Sequence, residues 1–91
     1  MKHGSLGVWF STNGLDTAEL VELAQAVEKG GYETLWYPEA LAYEAMSLGS
    51  FLLSQTSRLK LATGIANIYA RDGMAAVAGH DGLNKIYGGR F

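Results

Sequence analysis

Three short stretches of the chain, residues 6–10, 34–37 and 59–65, are crowded with β-branched and aromatic side chains. They recur about every 27 residues, and the gaps between them carry apolar residues at helical spacing. Parallel neighbours need a long return path, so this alternation predicts parallel strands joined by right-handed helical crossovers. The first gap is the sharpest. Asp16 stands at an N-cap position with Glu19 three residues on, the two partners of a capping box. Leu20, Leu23, Ala24 and Val27 follow an i, i+3, i+4, i+7 stripe, while Glu19, Glu22, Gln25 and Glu28 take the opposite face. Gly30-Gly31 supplies a left-handed stop.

In the second gap Leu41, Ala45, Leu48 and Leu52 share a face, joined by Phe51, and the pattern ends near Thr56-Ser57. The third helix is expected to start after Asp72 and to turn Ala76, Leu83, Ile86 and Tyr87 inward. Gly79 and Gly82 weaken it by about 1 kcal/mol each relative to alanine. Gly88-Gly89 ends it, and Arg90-Phe91 is expected to open a fourth strand. The fold class predicted is α/β, with three parallel strands alternating with three helices. A complete eight-unit (β/α) barrel takes about 250 residues, so three of its units take about 94. The 91 residues present match three such units in a single domain, 1–91. The same rhythm suits a three-stranded doubly wound sheet, but five strands of flavodoxin type do not fit this length.

Composition narrows the function. Hydrophobic residues make up 48% and charged residues only 18%, so the chain carries more apolar surface than one small core hides. Seven Lys+Arg against nine Asp+Glu give a net charge of -2 with no basic run, which argues against nucleic acid as a partner. With no cysteine, disulfides, thiolate zinc and thiol chemistry are excluded, in keeping with a cytoplasmic protein. No apolar stretch reaches the roughly 18 residues that span a bilayer, and residues 6–10 are too few for a signal-peptide core. No membrane partner is expected. His3 and His80 are far apart in sequence, and no metal site is expected.

Ligands of parallel β/α folds bind beyond the carboxyl ends of the strands, here residues 11–14, 38–41 and 64–72. The first segment, Ser11-Thr12-Asn13-Gly14, lacks GxGxxG and a Walker lysine and reads as a solvated turn into the Asp16 cap. Glu39 follows the second strand, where a carboxylate either orients or accepts a proton from a bound ring, or merely opens the next helical segment. Thr63-Gly64-Ile65-Ala66-Asn67 closes the third strand. Its glycine marks either a close backbone approach to a ligand, with Asn67 bonding a flat heterocycle, or a plain strand terminus. Arg71-Asp72 reads as a local pair with Asp72 as helix cap, or as a phosphate contact.

Leu6-Gly7-Val8-Trp9-Phe10, the run from Gly31-Tyr32-Glu33 through Leu35-Trp36-Tyr37-Pro38-Glu39, the run from Thr56-Ser57-Arg58 through Thr63-Gly64-Ile65-Ala66-Asn67 to Arg71-Asp72, and Leu83-Asn84 followed by Gly88-Gly89-Arg90-Phe91 together resemble the luciferase-like monooxygenase family. The branch that uses the deazaflavin coenzyme F420 is the most similar. The resemblance implies the first three units of a TIM-type (β/α)8 barrel, a partial or truncated segment, and hydride transfer at the carboxyl-terminal mouth with coenzyme F420 or alternatively FMN. It implies Glu39 as the acidic residue near the ring and the catalytic candidate, Thr63, Gly64, Ile65 and Asn67 as cofactor contacts, and a non-prolyl cis bond at Gly64-Ile65. Ala40 stands where several deazaflavin enzymes carry histidine, and Gly73 where relatives carry proline. Barrel phosphate sites usually follow strands seven and eight, which three units lack. Two readings follow: an oxidoreductase acting on an unspecified small molecule, or a non-catalytic segment that binds no cofactor and self-associates through its uncovered inner wall.

Overall fold

The computed structural model describes residues 6–40, 42–67 and 69–91. Its elements run β1 (Gly7–Trp9), α1 (Thr17–Lys29), β2 (Thr34–Tyr37), α2 (Ala45–Ser54), β3 (Lys60–Thr63) and α3 (Gly73–Tyr87). The strands form one parallel sheet in the order β1-β2-β3. Register aligns Val8, Leu35 and Leu61 in one row and Trp9, Trp36 and Ala62 in the next. Side chains alternate between the two faces of a strand. Leu35, Tyr37 and Leu61 are accordingly buried together with Leu20, Ala24 and Val27 of α1 and Leu48, Leu52 and Leu53 of α2. Trp9 and Trp36, one residue out of phase, are 57% and 43% exposed. The helices therefore cover one face of the sheet and leave the other bare.

Local signals fix each helix. Asp16 accepts from the Glu19 N–H at 2.9 Å while the Glu19 carboxylate takes the Asp16 N–H at 3.0 Å, the reciprocal pair of a capping box. At the far end Gly31 adopts φ 86, and the N–H groups of Gly31 and Tyr32 reach the carbonyls of Glu28 and Val27. That is a Schellman stop, with the left-handed residue at the second glycine of the pair. Glu28 also joins α1 to β3. Its carboxylate accepts from the backbone N–H groups of Ser57, Arg58 and Leu59, the last two at 2.7 Å.

α2 begins at Ala45, capped by Glu44, later than the face starting at Leu41 suggests; Leu41 lies outside the described residues. The Glu44 carboxylate takes the N–H groups of Met46 and Ser47 at 2.8 and 2.9 Å, so the helix starts where those donors find an acceptor. In α3 Leu83 is buried and Ala76 and Tyr87 are half-buried, but Ile86 points outward at 73% exposed. The reason is the packing on α2. Gly79 lies against Met46, where an added Cβ would stand 3.3 Å from its Cγ. The stripe 76, 79, 83, 87 thus faces α2, and Ile86 is turned about 100° away from Tyr87.

Arg90-Phe91 forms no strand of its own, yet the Arg90 carbonyl accepts the Leu61 N–H at 2.8 Å on the β3 edge away from β2. The Arg90 guanidinium also bonds the carbonyls of Leu53, Leu59 and Tyr87 at 3.0 to 3.2 Å, filling acceptors left open beyond α2. Among the described residues no helix is long and apolar enough to cross a membrane.

Candidate functional site

The bare face of the sheet rises to a mouth at the carboxyl ends of the strands. Its wall consists of two indoles and two glycines. A Cβ at Gly7 would stand 2.9 Å from Trp36 Nε1, and one at Gly64 would stand 3.2 Å from Trp9 Nε1. Both rings lie against backbone that only glycine leaves clear. The Trp9 Nε1–H crosses to the Gly64 carbonyl at 3.0 Å. Beyond it the Gly64-Ile65 peptide is cis, as the family resemblance implies, and the Ile65 side chain is 81% exposed.

The segment after β3 is tied down on every side. Gly64 N–H donates to the Tyr37 carbonyl at 2.8 Å, and Glu39 N–H donates to the Ile65 carbonyl at 3.1 Å. The Glu39 carboxylate accepts from the Asn67 N–H and the Ala45 N–H, each at 2.7 Å, and from Arg71 Nη2. Arg71 bonds Glu44 as well, at 2.9 Å. Burial alone would push the Glu39 carboxyl up, but Arg71 and the two N–H groups outweigh it and hold it below the ordinary carboxylate range. Glu44 is opposed by burial in the same way, and the Met46 and Ser47 donors with Arg71 bring it down to about 2. Glu39 is thus an anion with three donors on it. In this arrangement it fixes positions and charge.

Of the residues singled out from sequence, Gly64 and Ile65 stand on the open side. Thr63 aligns with Tyr37 in the register and so shares the helix-facing side. Asn67 borders a recess of about 520 Å³ lined by Ala66, Asn67, Arg71, Asp72, Gly73 and Ala76. The local pairing of Arg71 with Asp72 is replaced by a longer reach. Asp72 caps α3 through the Ala75 N–H at 2.7 Å, and Arg71 turns to Glu39 and Glu44. With two carboxylates on it, Arg71 is not free for a phosphate. Nor is the 11–14 turn wholly solvated. Thr12 is buried, and Asn13 Oδ1 accepts the Ala42 N–H at 3.0 Å, linking the first loop to the second.

Sequence reasoning passed over Trp9, Trp36 and Glu44. The two tryptophans were marked by their alternation with Val8, Leu35 and Tyr37, which puts them on one face once the register is known. Among the described residues the helix starts and loops of the mouth carry Asp16, Glu19, Glu39, Glu44 and Asp72 against the single cation Arg71. Basic residues gather at the other end: Lys29, Arg58, Lys60, Lys85 and Arg90. No cluster of metal-ligating side chains occurs among the described residues. His80 is solvent-facing on α3, and His3 lies outside the described residues.

Comparison with known proteins agrees with this geometry. The sequence model of the luciferase-like monooxygenases matches residues 3–91. A similar solved structure is the coenzyme F420-dependent tetrahydromethanopterin reductase from Methanopyrus kandleri, at TM-score 0.82 and 26% identity. The match covers 93% of this chain and 24% of the reductase, so this chain spans about a quarter of that protein's length. No curated protein matches in sequence. The three βα units are a portion of a TIM-barrel-like fold.

Proposed function

This chain belongs to the luciferase-like monooxygenase family, and from that premise we propose that it is an oxidoreductase-type segment whose strand mouth receives the ring of coenzyme F420, with FMN the alternative. The observation that carries the reading is the wall at the end of β3. Ile65 stands exposed there, the Gly64 carbonyl is held by Trp9, and Glu39 fixes both Ile65 and Asn67. A flat, largely apolar ring suits an open surface with a few fixed polar groups beside it. When bound, such a ring supplies hydride transfer. Gly64 and Ile65 would back it, Asn67 and the backbone of Thr63 would border it, and Glu39 would orient this border as a fixed anion.

The fit is to the ring and not to the phosphate. Arg71, the one cation of the mouth among the described residues, is occupied by Glu39 and Glu44, and the surrounding acids repel an anionic tail. Affinity for either cofactor is therefore expected to be weak, in the micromolar range or above. Equilibrium dialysis of the purified chain against coenzyme F420 and against FMN tests the reading. Saturable binding of either at micromolar concentration supports it; no binding of either by a folded chain overturns it.

A second reading is favoured by the bare sheet face. Trp9, Trp36 and Ile65 expose large apolar side chains at this face, and soluble monomers rarely leave extended apolar surface open. The face would then be covered by further copies of the chain, with or without a cofactor. Sedimentation at micromolar concentration gives the mass. An oligomer whose mass falls on Trp36→Glu substitution supports this reading, and a monomer at every concentration excludes it.

A further inference from the structure

Arg71 sits in the loop before α3 with its side chain only 12% exposed, unusual for an arginine. Its guanidinium meets Glu39 from the loop after β2, Glu44 at the cap of α2, and the Asn67 carbonyl at 3.5 Å from the loop after β3. One planar group with a fixed fork of donors thus joins the loops that build the mouth. Glu39 passes the constraint on. Its carboxylate holds the Asn67 N–H, and its backbone N–H holds the Ile65 carbonyl. Ile65 and Asn67 therefore hang from Glu39, and Glu39 hangs from Arg71.

We propose that Arg71 is a positioning residue of the ring wall: without touching the ring, it pins the Glu39 carboxylate and so fixes where Ile65 and Asn67 stand. The inference rests on reading the mouth as a ring site. The groups facing the Glu39 carboxylate are Arg71 and Glu44, with the buried Tyr37 hydroxyl behind. Without the cation, Glu39 and Glu44 share a site as two like charges, and a buried carboxyl so placed titrates at higher pH.

The test compares amide spectra of the isotope-labelled wild-type chain, Arg71→Met and Arg71→Lys from about pH 8 to about pH 4, with and without coenzyme F420. In wild type the Asn67 amide is expected to respond to pH only at lower values than in Arg71→Met. In Arg71→Met the Ile65 and Asn67 amides shift and broaden, the Asn67 amide titrates, and amides of α1 stay in place. The apparent Kd for coenzyme F420 rises by about tenfold or more, and Arg71→Lys recovers part of both effects. Unchanged Ile65 and Asn67 amides in a folded Arg71→Met, with the wild-type pH response, overturn the proposal. Should Arg71→Met fail to fold, Glu39→Gln, which also removes the charged pair, is expected to shift and broaden the Ile65 and Asn67 amides with no titration of its own, and unchanged amides in that folded variant overturn the proposal. If wild type does not bind the cofactor, the ring reading fails by itself, and the amides still decide the role of Arg71.

Discussion

The indole N–H of Trp9 donates to the carbonyl of Gly64 at 3.0 Å, joining β1 to the end of β3 across the breadth of the sheet. A typical hydrogen bond contributes about 0.5–1.5 kcal/mol net, and less when water can replace the lost partner. Trp9→Phe keeps a ring and removes the donor. On a bare face it should cost about 0.5 kcal/mol in urea denaturation. A loss above about 2 kcal/mol would mean that the bond is shielded from water in solution, by another copy or by a ligand.

Gly49 is closely packed in the helix layer. A Cβ there would lie 2.7 Å from the Tyr37 hydroxyl and 2.7 Å from Phe91 Cε1. The hydroxyl cannot withdraw cheaply, because it donates to the Ala45 carbonyl at 2.6 Å. Gly49→Ala is therefore expected to lower stability by about 1–3 kcal/mol, visible as a lower Tm.

Gly73 behaves oppositely. It opens α3, and nothing lies within 4 Å of its would-be Cβ. Asp72 before it is extended at φ -78 and ψ 173, the conformation a following proline demands. Gly73→Pro should raise stability by about 0.4–1 kcal/mol by restricting the unfolded chain. A decrease would show that the Gly73 N–H has a partner in solution.

Glu28 carries an acid dependence. Burial pushes its carboxyl up, but the N–H groups of Arg58, Leu59 and Ser57 outweigh this and hold it below the ordinary range. A carboxyl depressed in the folded state contributes stability above its unfolded value of about 4.3, and that contribution is lost as pH falls through the folded value. Glu28→Gln should cost about 1–3 kcal/mol near neutral pH, with the gap to wild type closing in acid. A gap that stays constant from neutral to acid would refute the role. Glu39 and Glu44 share the sign, so the wild-type acid limb remains steep in the Glu28 variant.

Much of this architecture was legible because its causes are local. The Asp16–Glu19 box, the Gly30-Gly31 stop and the alternation around Leu35 each depend on residues a turn apart. The wall at Gly64-Ile65 was legible in another way, through the likeness of the third-strand motif to a family. What the chain concealed acts over distance. Arg71 finds Glu39 across 32 positions, and nothing in either neighbourhood names the other. Ile86 fits an inward stripe by periodicity, and only the seat of Gly79 on Met46 decides which stripe wins. Thr63 sits inside the third-strand motif, but strand parity turns it toward the helices.

Both tryptophans of the chain, Trp9 and Trp36, stand in adjacent register positions on the uncovered side of the sheet. Indole emission therefore comes entirely from this surface and from nowhere in the helix layer. The protein carries its own optical gauge: a blue shift reports that water has left the inner wall, and quenching reports an absorbing ring laid over it.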